Sequence, residues 1–266
     1  MTKKYYLLNG ISRAGNTLFG SLLNQNKDIS VTGNSIIPDL LFKINKMRQE
    51  ENFKNFPLQK QLDNVLNNVF NNYYENLTAK YIIDRSTWGL TDYMDLAKKH
   101  IPNELKIIVL VRDIPEVLAS FVDHSNKNPD FFLNLVGTNP LEKCDFLMGY
   151  NPNHIGQIYG QLSAIKNLIL NYRESIKIIE YNDLINNTKS TLDSVYDFLE
   201  IPKFNHSFEN LSQLNIDGVS YDDTVLGGNL HTIKTDKIEK RKYDVEEVLT
   251  PYVYKKYSGY EIWRDL

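Results

Sequence analysis

Cysteine is nearly absent: Cys144 is the only one in 266 residues, so no disulfide can close within the chain. No apolar run approaches the roughly 20 residues that a helix needs to cross a bilayer. The chain opens on Met1-Thr2-Lys3-Lys4 and a short strand rather than on a long apolar segment. Together these point to a cytoplasmic protein with no membrane partner. An excess of positive charge is missing too. With 30 Lys and Arg against 33 Asp and Glu, a net charge of -3, the chain lacks the basic footprint of a sequence-independent polyanion binder, and a nucleic-acid partner is not expected. Internal repeats and linker-like stretches are likewise absent, so residues 1–266 are expected to form a single domain. What is present, 42% hydrophobic and 12% aromatic residues, suffices for one sizeable α/β core.

Short apolar runs rich in β-formers fall at Tyr5 to Leu8, Tyr81 to Ile83, Ile107 to Val111 and Ile176 to Ile179. Each is followed by a turn and then by a segment of helical period. The run Ile107-Ile108-Val109-Leu110-Val111 is continuous rather than alternating, which marks a strand covered on both faces, as in the middle of a parallel sheet. Helices are predicted at about Asn16 to Asn24, Leu90 to His100, Ile114 to His124, Ile155 to Tyr172, Lys189 to Leu199 and Val245 to Tyr257. Between Pro38 and Lys80 the pattern is amphipathic helix without a strand. From Pro202 to Arg241 it is polar and weakly periodic, and both stretches read as additions on the ligand side of the sheet. The expected architecture is α/β: a single-domain, P-loop NTPase-like three-layer fold with a central parallel sheet flanked by helices.

Most of the chemistry sits in two strand-to-helix joints. In Leu7-Leu8-Asn9-Gly10-Ile11-Ser12-Arg13-Ala14-Gly15-Asn16-Thr17-Leu18, Gly10 and Gly15 stand five apart with Thr17 behind them. This copies the G-x-x-x-x-G-K-[ST] phosphate loop except that Asn16 replaces the lysine. A nucleoside triphosphatase uses that lysine on its β- and γ-phosphates, and an asparagine amide cannot do so. Here the cation is moved to Arg13. A guanidinium in the loop, with backbone N–H groups of residues 14 to 18 opening a helix, makes an anion cradle that needs no metal. An ordinary glycine-containing βα turn also fits this stretch taken alone. The second joint is Val111-Arg112-Asp113-Ile114-Pro115-Glu116-Val117-Leu118-Ala119-Ser120. Ser120 lies about two turns along the helix that Pro115 opens, within reach of an anion also held by Arg112. Its plain alternative is a capping box of Asp113 and Glu116 with Arg112 paired to either. Ligands of such sheets bind at the carboxyl ends of the strands, where both joints fall.

An altered phosphate loop followed by an Arg-x7-Ser element resembles the sulfotransferases that use 3′-phosphoadenosine 5′-phosphosulfate (PAPS). Ser12-Arg13-Ala14-Gly15-Asn16-Thr17 is similar to the family's P-R-S-G-T-T loop, and Val111 through Ser120 is similar to its V-R-[DN]-P-x-x-[VA]-x-x-S element. Glu180-Tyr181-Asn182-Asp183-Leu184 followed by Phe198-Leu199-Glu200-Ile201-Pro202 is similar to its R-Y-E-D-L and F-L-G-I-P runs. The layout is closest to the tyrosylprotein and bacterial members. The resemblance implies PAPS as co-substrate and no metal. It also implies a phosphosulfate on residues Arg13 to Leu18, a 3′-phosphate on Arg112 and Ser120, and an adenine near Tyr181. Leu226-Gly227-Gly228-Asn229-Leu230-His231-Thr232-Ile233-Lys234 occupies the place where relatives fold a loop over the 3′-phosphate, so Gly228, His231 and Lys234 are further donor-binding candidates.

Sulfuryl transfer resembles phosphoryl transfer: an acceptor oxygen attacks in line, and catalysis is mostly positioning and charge stabilisation. Arg13 is one cation for that task. Arg85, in Ile83-Asp84-Arg85-Ser86-Thr87, is the other, where related enzymes place a lysine. A proton acceptor is harder to find. Thr87 stands where cytosolic relatives have a histidine, and Gly33-Asn34-Ser35 falls where tyrosylprotein enzymes have a glutamate. Asp39, His124 and His231 are the substitutes to consider. The acceptor itself, a peptide tyrosine, a carbohydrate or a small hydroxyl-bearing molecule, is open. Two other readings stand beside this one: a P-loop kinase or nucleoside triphosphatase, and a non-catalytic nucleotide-binding protein on the same fold.

Overall fold

The computed structural model describes residues 2–55, 58–151, 154–224, 228, 230–239 and 244–264. At its centre is a sheet of five parallel strands: β1 (Lys4–Gly10), β2 (Ile29–Asn34), β3 (Tyr81–Arg85), β4 (Ile107–Val111) and β7 (Ile176–Glu180), in the order β2-β3-β1-β4-β7, while β5 (Tyr150–Asn151) and β6 (His154–Ile155) form a separate antiparallel pair. All five residues of β4 and the stretch Tyr5 to Asn9 of β1 are buried. These are the two continuous apolar runs, and they pair with each other, Leu7 opposite Ile107 and Leu8 opposite Ile108. A strand buried on both faces has no polar face to alternate, which is why the runs are continuous.

Strand β2 lies outside the predicted set. Its sequence ISVTGN places only two apolar side chains, Ile29 and Val31, on the buried face, and its pairing with β3 shifts register before Asn34. A short edge strand needs only one partner and one apolar face, and a six-residue pattern ending in glycine carries little strand signal.

Helices flank the sheet: α1 (Asn16–Leu23), α2 (Ile37–Met47), α3 (Gln59–Asn67), α4 (Val69–Tyr73), α5 (Thr91–His100), α6 (Ile114–Lys127), α7 (Pro140–Met148), α8 (Gln157–Asn171), α9 (Tyr181–Asn186), α10 (Thr188–Leu199), α11 (Val245–Leu249) and α12 (Pro251–Tyr257). The helical reading of the stretch before Lys80 holds, with α2 packed on α4 and α5. The expected helix from Val245 to Tyr257 is instead two. Pro251 disfavours helical backbone at the residue before it, and Thr250 leaves the helix at φ 71°.

The described residues of the late polar segment include regular structure that its composition does not suggest. Strands β8 (Asn215–Ile216) and β9 (Val219–Ser220) form an antiparallel hairpin whose turn is Asp217-Gly218, both at positive φ (51° and 82°). Asp-Gly between β-formers is a strong hairpin signal, here set in a stretch with no strand-length period around it. The hairpin packs against β2. Among the described residues no helix is long and apolar enough to cross a membrane.

The topology selects one crevice. After β1 the chain goes to β2 on one side, and after β4 it goes to β7 on the other, while β1 and β4 are neighbours. The helices following adjacent strands therefore part, and their joints open onto a shared cleft at the carboxyl ends.

Candidate active site

At that cleft lies a cavity of about 720 Å³, lined by both joints, by the end of β3 and by the segment from Leu230 to Glu239. Gly15 heads α1 with φ 83° and no side chain caps the helix, while Gly15, Asn16, Thr17 and Leu18 all line the cavity. The backbone N–H groups of a helix's first turn have no partner within the helix, so an anion here is met by oriented donors and by the positive end of the dipole. A Cβ at Gly15 would stand 3.0 Å from the Tyr181 ring, so glycine supplies both the left-handed backbone and the close approach.

Two members of the predicted cradle act differently. Ala14 is fully buried and its N–H is taken by the Ile11 carbonyl at 3.1 Å, which leaves the cradle to residues 15–18. Asn16 turns back into the loop: its Nδ2 donates to the Ile11 carbonyl at 2.8 Å, in space that a side chain on Gly10 would fill. The side chain standing in for the phosphate-loop lysine is thus a brace. Two further braces come from α8, where no sequence signal marked them. Gln161 Oε1 accepts from the Ser12 N–H at 2.7 Å, and the side-chain amides of Gln161 and Gln157 donate to Ser12 Oγ at 2.8 and 3.1 Å.

Arg13, Arg112, Ser120 and Tyr181 meet. Arg13 Nε donates to Ser120 Oγ at 3.0 Å and its Nη1 to the Leu230 carbonyl at 2.5 Å. Arg112, 4% exposed, donates from Nη1 to the Arg13 carbonyl at 2.9 Å and from Nε to Glu116 at 3.0 Å. Its guanidinium lies over the Tyr181 ring, 4.2 Å from the centroid, so the ring expected near adenine here carries an arginine. The Arg112–Glu116 pairing that the plainer reading anticipated exists, but the capping box does not. Asp113 caps nothing and instead accepts from Arg264, while the Ile114 N–H is taken by Glu261.

On the other wall, Arg85 does not pair with Asp84. Its Nη1 donates to the Tyr221 hydroxyl at 2.8 Å, and burial pulls its guanidinium below the ordinary arginine range. The Tyr221 ring stacks on His231 at 4.0 Å and 12°, and Asp223 accepts from the His231 ring and from its backbone N–H at 2.5 and 2.6 Å. Burial raises the Asp223 carboxyl, but the hydrogen bonds from His231 outweigh it and hold the group below its usual range. Neither Tyr221 nor Asp223 was singled out from sequence. Both sit in an unpatterned polar stretch.

The remaining candidates are scattered. Asp39 lines the cavity from its exposed rim and accepts from the Tyr93 hydroxyl at 2.8 Å. Lys234 lines it too, 3.3 Å from Glu239. His124 is buried and is not among the residues lining the cavity, its ring edge-on to Phe131 at 4.7 Å and its Nδ1 beside the Asn128 amide. Gly228 donates its N–H to the Asp223 carbonyl at 2.8 Å and is not among the residues lining the cavity. Gly227, named with it, lies outside the described residues.

Asp84 proves to be a structural acid. It is fully buried, accepts from the Tyr74 hydroxyl at 2.5 Å and from Trp88 Nε1 at 2.8 Å, and is pushed up to about 6 by burial, against the hydrogen bonds that favour its charged form. A raised folded-state value means that stability from this group is full below the unfolded value of 3.8 and is lost as pH rises through about 6. The shift corresponds to about 3 kcal/mol. Asp84→Asn, which stays neutral, is expected to flatten the fall in stability between pH 4 and pH 7, measured by denaturant unfolding across that range. Parallel curves for the two proteins would contradict it.

The model of the family described as "Sulfotransferase domain" matches residues 6–240. No curated protein sequence matches the chain. Among solved structures, it is similar to the sulfotransferase domain from the curacin biosynthetic pathway, with 18% identity, a TM-score of 0.50, and 77% of this chain and 76% of that one covered. It is also similar to a sulfotransferase from Alicyclobacillus acidocaldarius, with 12% identity, a TM-score of 0.52, and 76% and 83% covered. At such identities these two likenesses speak for the fold. The family match spans both strand-end joints and the third sequence element, and so the chain belongs to the sulfotransferase domain family and is an enzyme of sulfuryl transfer.

Proposed function

We propose that this sulfotransferase takes its sulfuryl group from PAPS and passes it to a hydroxyl-bearing acceptor, releasing adenosine 3′,5′-bisphosphate. The observation that carries this reading is the meeting of Arg13, Ser120, Arg112 and Tyr181 beside the uncapped start of α1. A donor with a phosphosulfate at one end and a phosphate at the other needs two anion sites at fixed separation. Here one site is the backbone of residues 15–18 with Arg13, and the second is Arg112 with Ser120. The Arg13–Ser120 hydrogen bond joins them. Such a bisphosphate fits donors that are buried, directional and positively charged.

PAPS supplies an activated sulfuryl group on a phosphate leaving group. The protein's part is to hold cations where charge gathers: Arg13 at the leaving oxygen, and Arg85, already desolvated, at the transferring group. Both then act without giving up a proton. A kinase or triphosphatase needs an amine in the loop, and Asn16, hydrogen-bonded back to Ile11, does not provide one. The same reading takes residues 1–266 as one domain, supported by a single buried apolar cluster from Tyr5 to Trp263 among the described residues.

Calorimetric titration without magnesium, comparing adenosine 3′,5′-bisphosphate with ATP and GTP, tests the donor. Binding of the bisphosphate alone is the expected result. Binding of ATP or GTP that strengthens with magnesium would overturn the reading in favour of a nucleoside triphosphate enzyme.

A further inference from the structure

The donor site leaves one task unassigned: removing the proton from the attacking hydroxyl. Resting on the donor reading above, we propose that His231 is that proton acceptor, positioned by Asp223 and delivered to the cavity by the hairpin segment that follows α10.

The geometry around the imidazole sets its tautomer. Asp223 Oδ1 lies 2.5 Å from His231 Nδ1, and an ionised carboxylate can only accept, so Nδ1 carries the hydrogen. Nε2 is then the lone-pair nitrogen of the neutral ring, and among the described residues it has no hydrogen-bond partner. Asp223 holds the ring by a second bond, from the His231 N–H at 2.6 Å, so its carboxylate spans backbone and side chain of one residue. An imidazole with a carboxylate on one nitrogen and a free lone pair on the other, lining a cavity, is the arrangement a general base requires.

The ring is fixed in position as well as in tautomer. The Tyr221 ring lies flat on it at 4.0 Å, and the Tyr221 hydroxyl is anchored by Arg85 at the end of β3. Tyr221 reaches that place because β9 ends one residue before it and the hairpin packs on β2. Gly33 of β2 makes room, since a Cβ there would stand 3.3 Å from the tyrosine hydroxyl. The imidazole is therefore tied to the end of the sheet, beside the arginine assigned to the transferring group. One residue before His231, the Leu230 carbonyl accepts from Arg13. The segment carrying the base thus also closes on the donor loop.

The competing groups lack this arrangement. Asp39 is exposed at the rim with Tyr93 as its partner, and His124 lies outside the cavity lining. In the transfer, the proton of the acceptor hydroxyl passes to Nε2 as the new oxygen–sulfur bond forms. The bond from sulfur to the bridging oxygen breaks, and its electron pair leaves on the bisphosphate product. The imidazolium formed is stabilised by the Asp223 carboxylate.

Three measurements on the full chain test this. The first is titration of wild type, His231→Gln, Asp223→Asn and Asp223→Glu with adenosine 3′,5′-bisphosphate. The second is steady-state transfer from PAPS to a panel of 4-nitrophenol, N-acetyltyrosine amide, octanol and methyl glucoside. The third is nitrogen NMR of the histidine tautomers in the bisphosphate complex. Expected are bisphosphate affinities within about threefold of each other, and a kcat loss of about 10²- to 10³-fold in His231→Gln with little change in KM. Asp223→Asn should lose about tenfold or more, with Asp223→Glu restoring part of it, and wild-type His231 should be unprotonated at Nε2 when neutral. An unchanged kcat in His231→Gln overturns the proposal. So does a neutral ring protonated at Nε2, a result that needs no acceptor. Failure of wild type to bind the bisphosphate would instead remove the donor reading, and the assignment of His231 with it.

Discussion

Replacing Arg112 with alanine is expected to weaken binding of adenosine 3′,5′-bisphosphate by about 10²- to 10³-fold, the cost of deleting a buried charge-assisted donor set. The substitution removes three things at once: the cation facing the second anion site, the tether from Nη1 to the Arg13 carbonyl, and the plate lying on Tyr181. Because the tether shapes the first phosphate loop, the loss extends to both ends of the donor. Arg112→Lys should recover little, since an ammonium cannot bond Glu116 and the Arg13 carbonyl as a planar fork while stacking on the ring. Calorimetric titration of the three proteins decides the matter. An affinity within a few fold of wild type in Arg112→Ala would show that the bisphosphate lies elsewhere.

Arg85→Met should have the opposite signature: bisphosphate binding nearly kept, turnover lost by about 10²- to 10³-fold, the range for removing one preorganised charge from a reacting group. Methionine fills much of the same space but neither carries charge nor donates to Tyr221. Arg85→Lys, which keeps the charge, should retain a large share of the activity. Equal losses in binding and turnover would move Arg85 into the donor site. An unchanged kcat would leave charge stabilisation to Arg13 alone.

How far these residues could be read from sequence varies with the range of the interaction. Strands β1 and β4 announced themselves because burial on both faces demands continuous apolar residues, while β3 and β7 carry shorter runs of β-formers, β7 as an edge strand. Strand β2 did not, because an edge strand needs only Ile29 and Val31 inward. The hairpin at Asp217-Gly218 carries a local turn signal, but its strands are two residues each and too short to show a period. Asn16 was recognised as a departure from the phosphate-loop lysine, yet that its amide would fold back onto Ile11 depended on the space left by Gly10.

The amino-acid sequence by itself determined the two strand-to-helix joints, the parallel sheet they end and the family, since each rests on residues close together in the chain. Only the tertiary structure decided which of those residues work together. Arg13 meets Ser120 across 107 positions and Arg112 turns back to the Arg13 carbonyl across 99. Arg85 finds Tyr221 across 136 positions, and through that ring the Asp223–His231 pair. Distances of this kind are set by strand order and by the docking of a hairpin on an edge strand. No local periodicity encodes those, because their free energy lies in burial and hydrogen bonds that form only once the whole chain has folded.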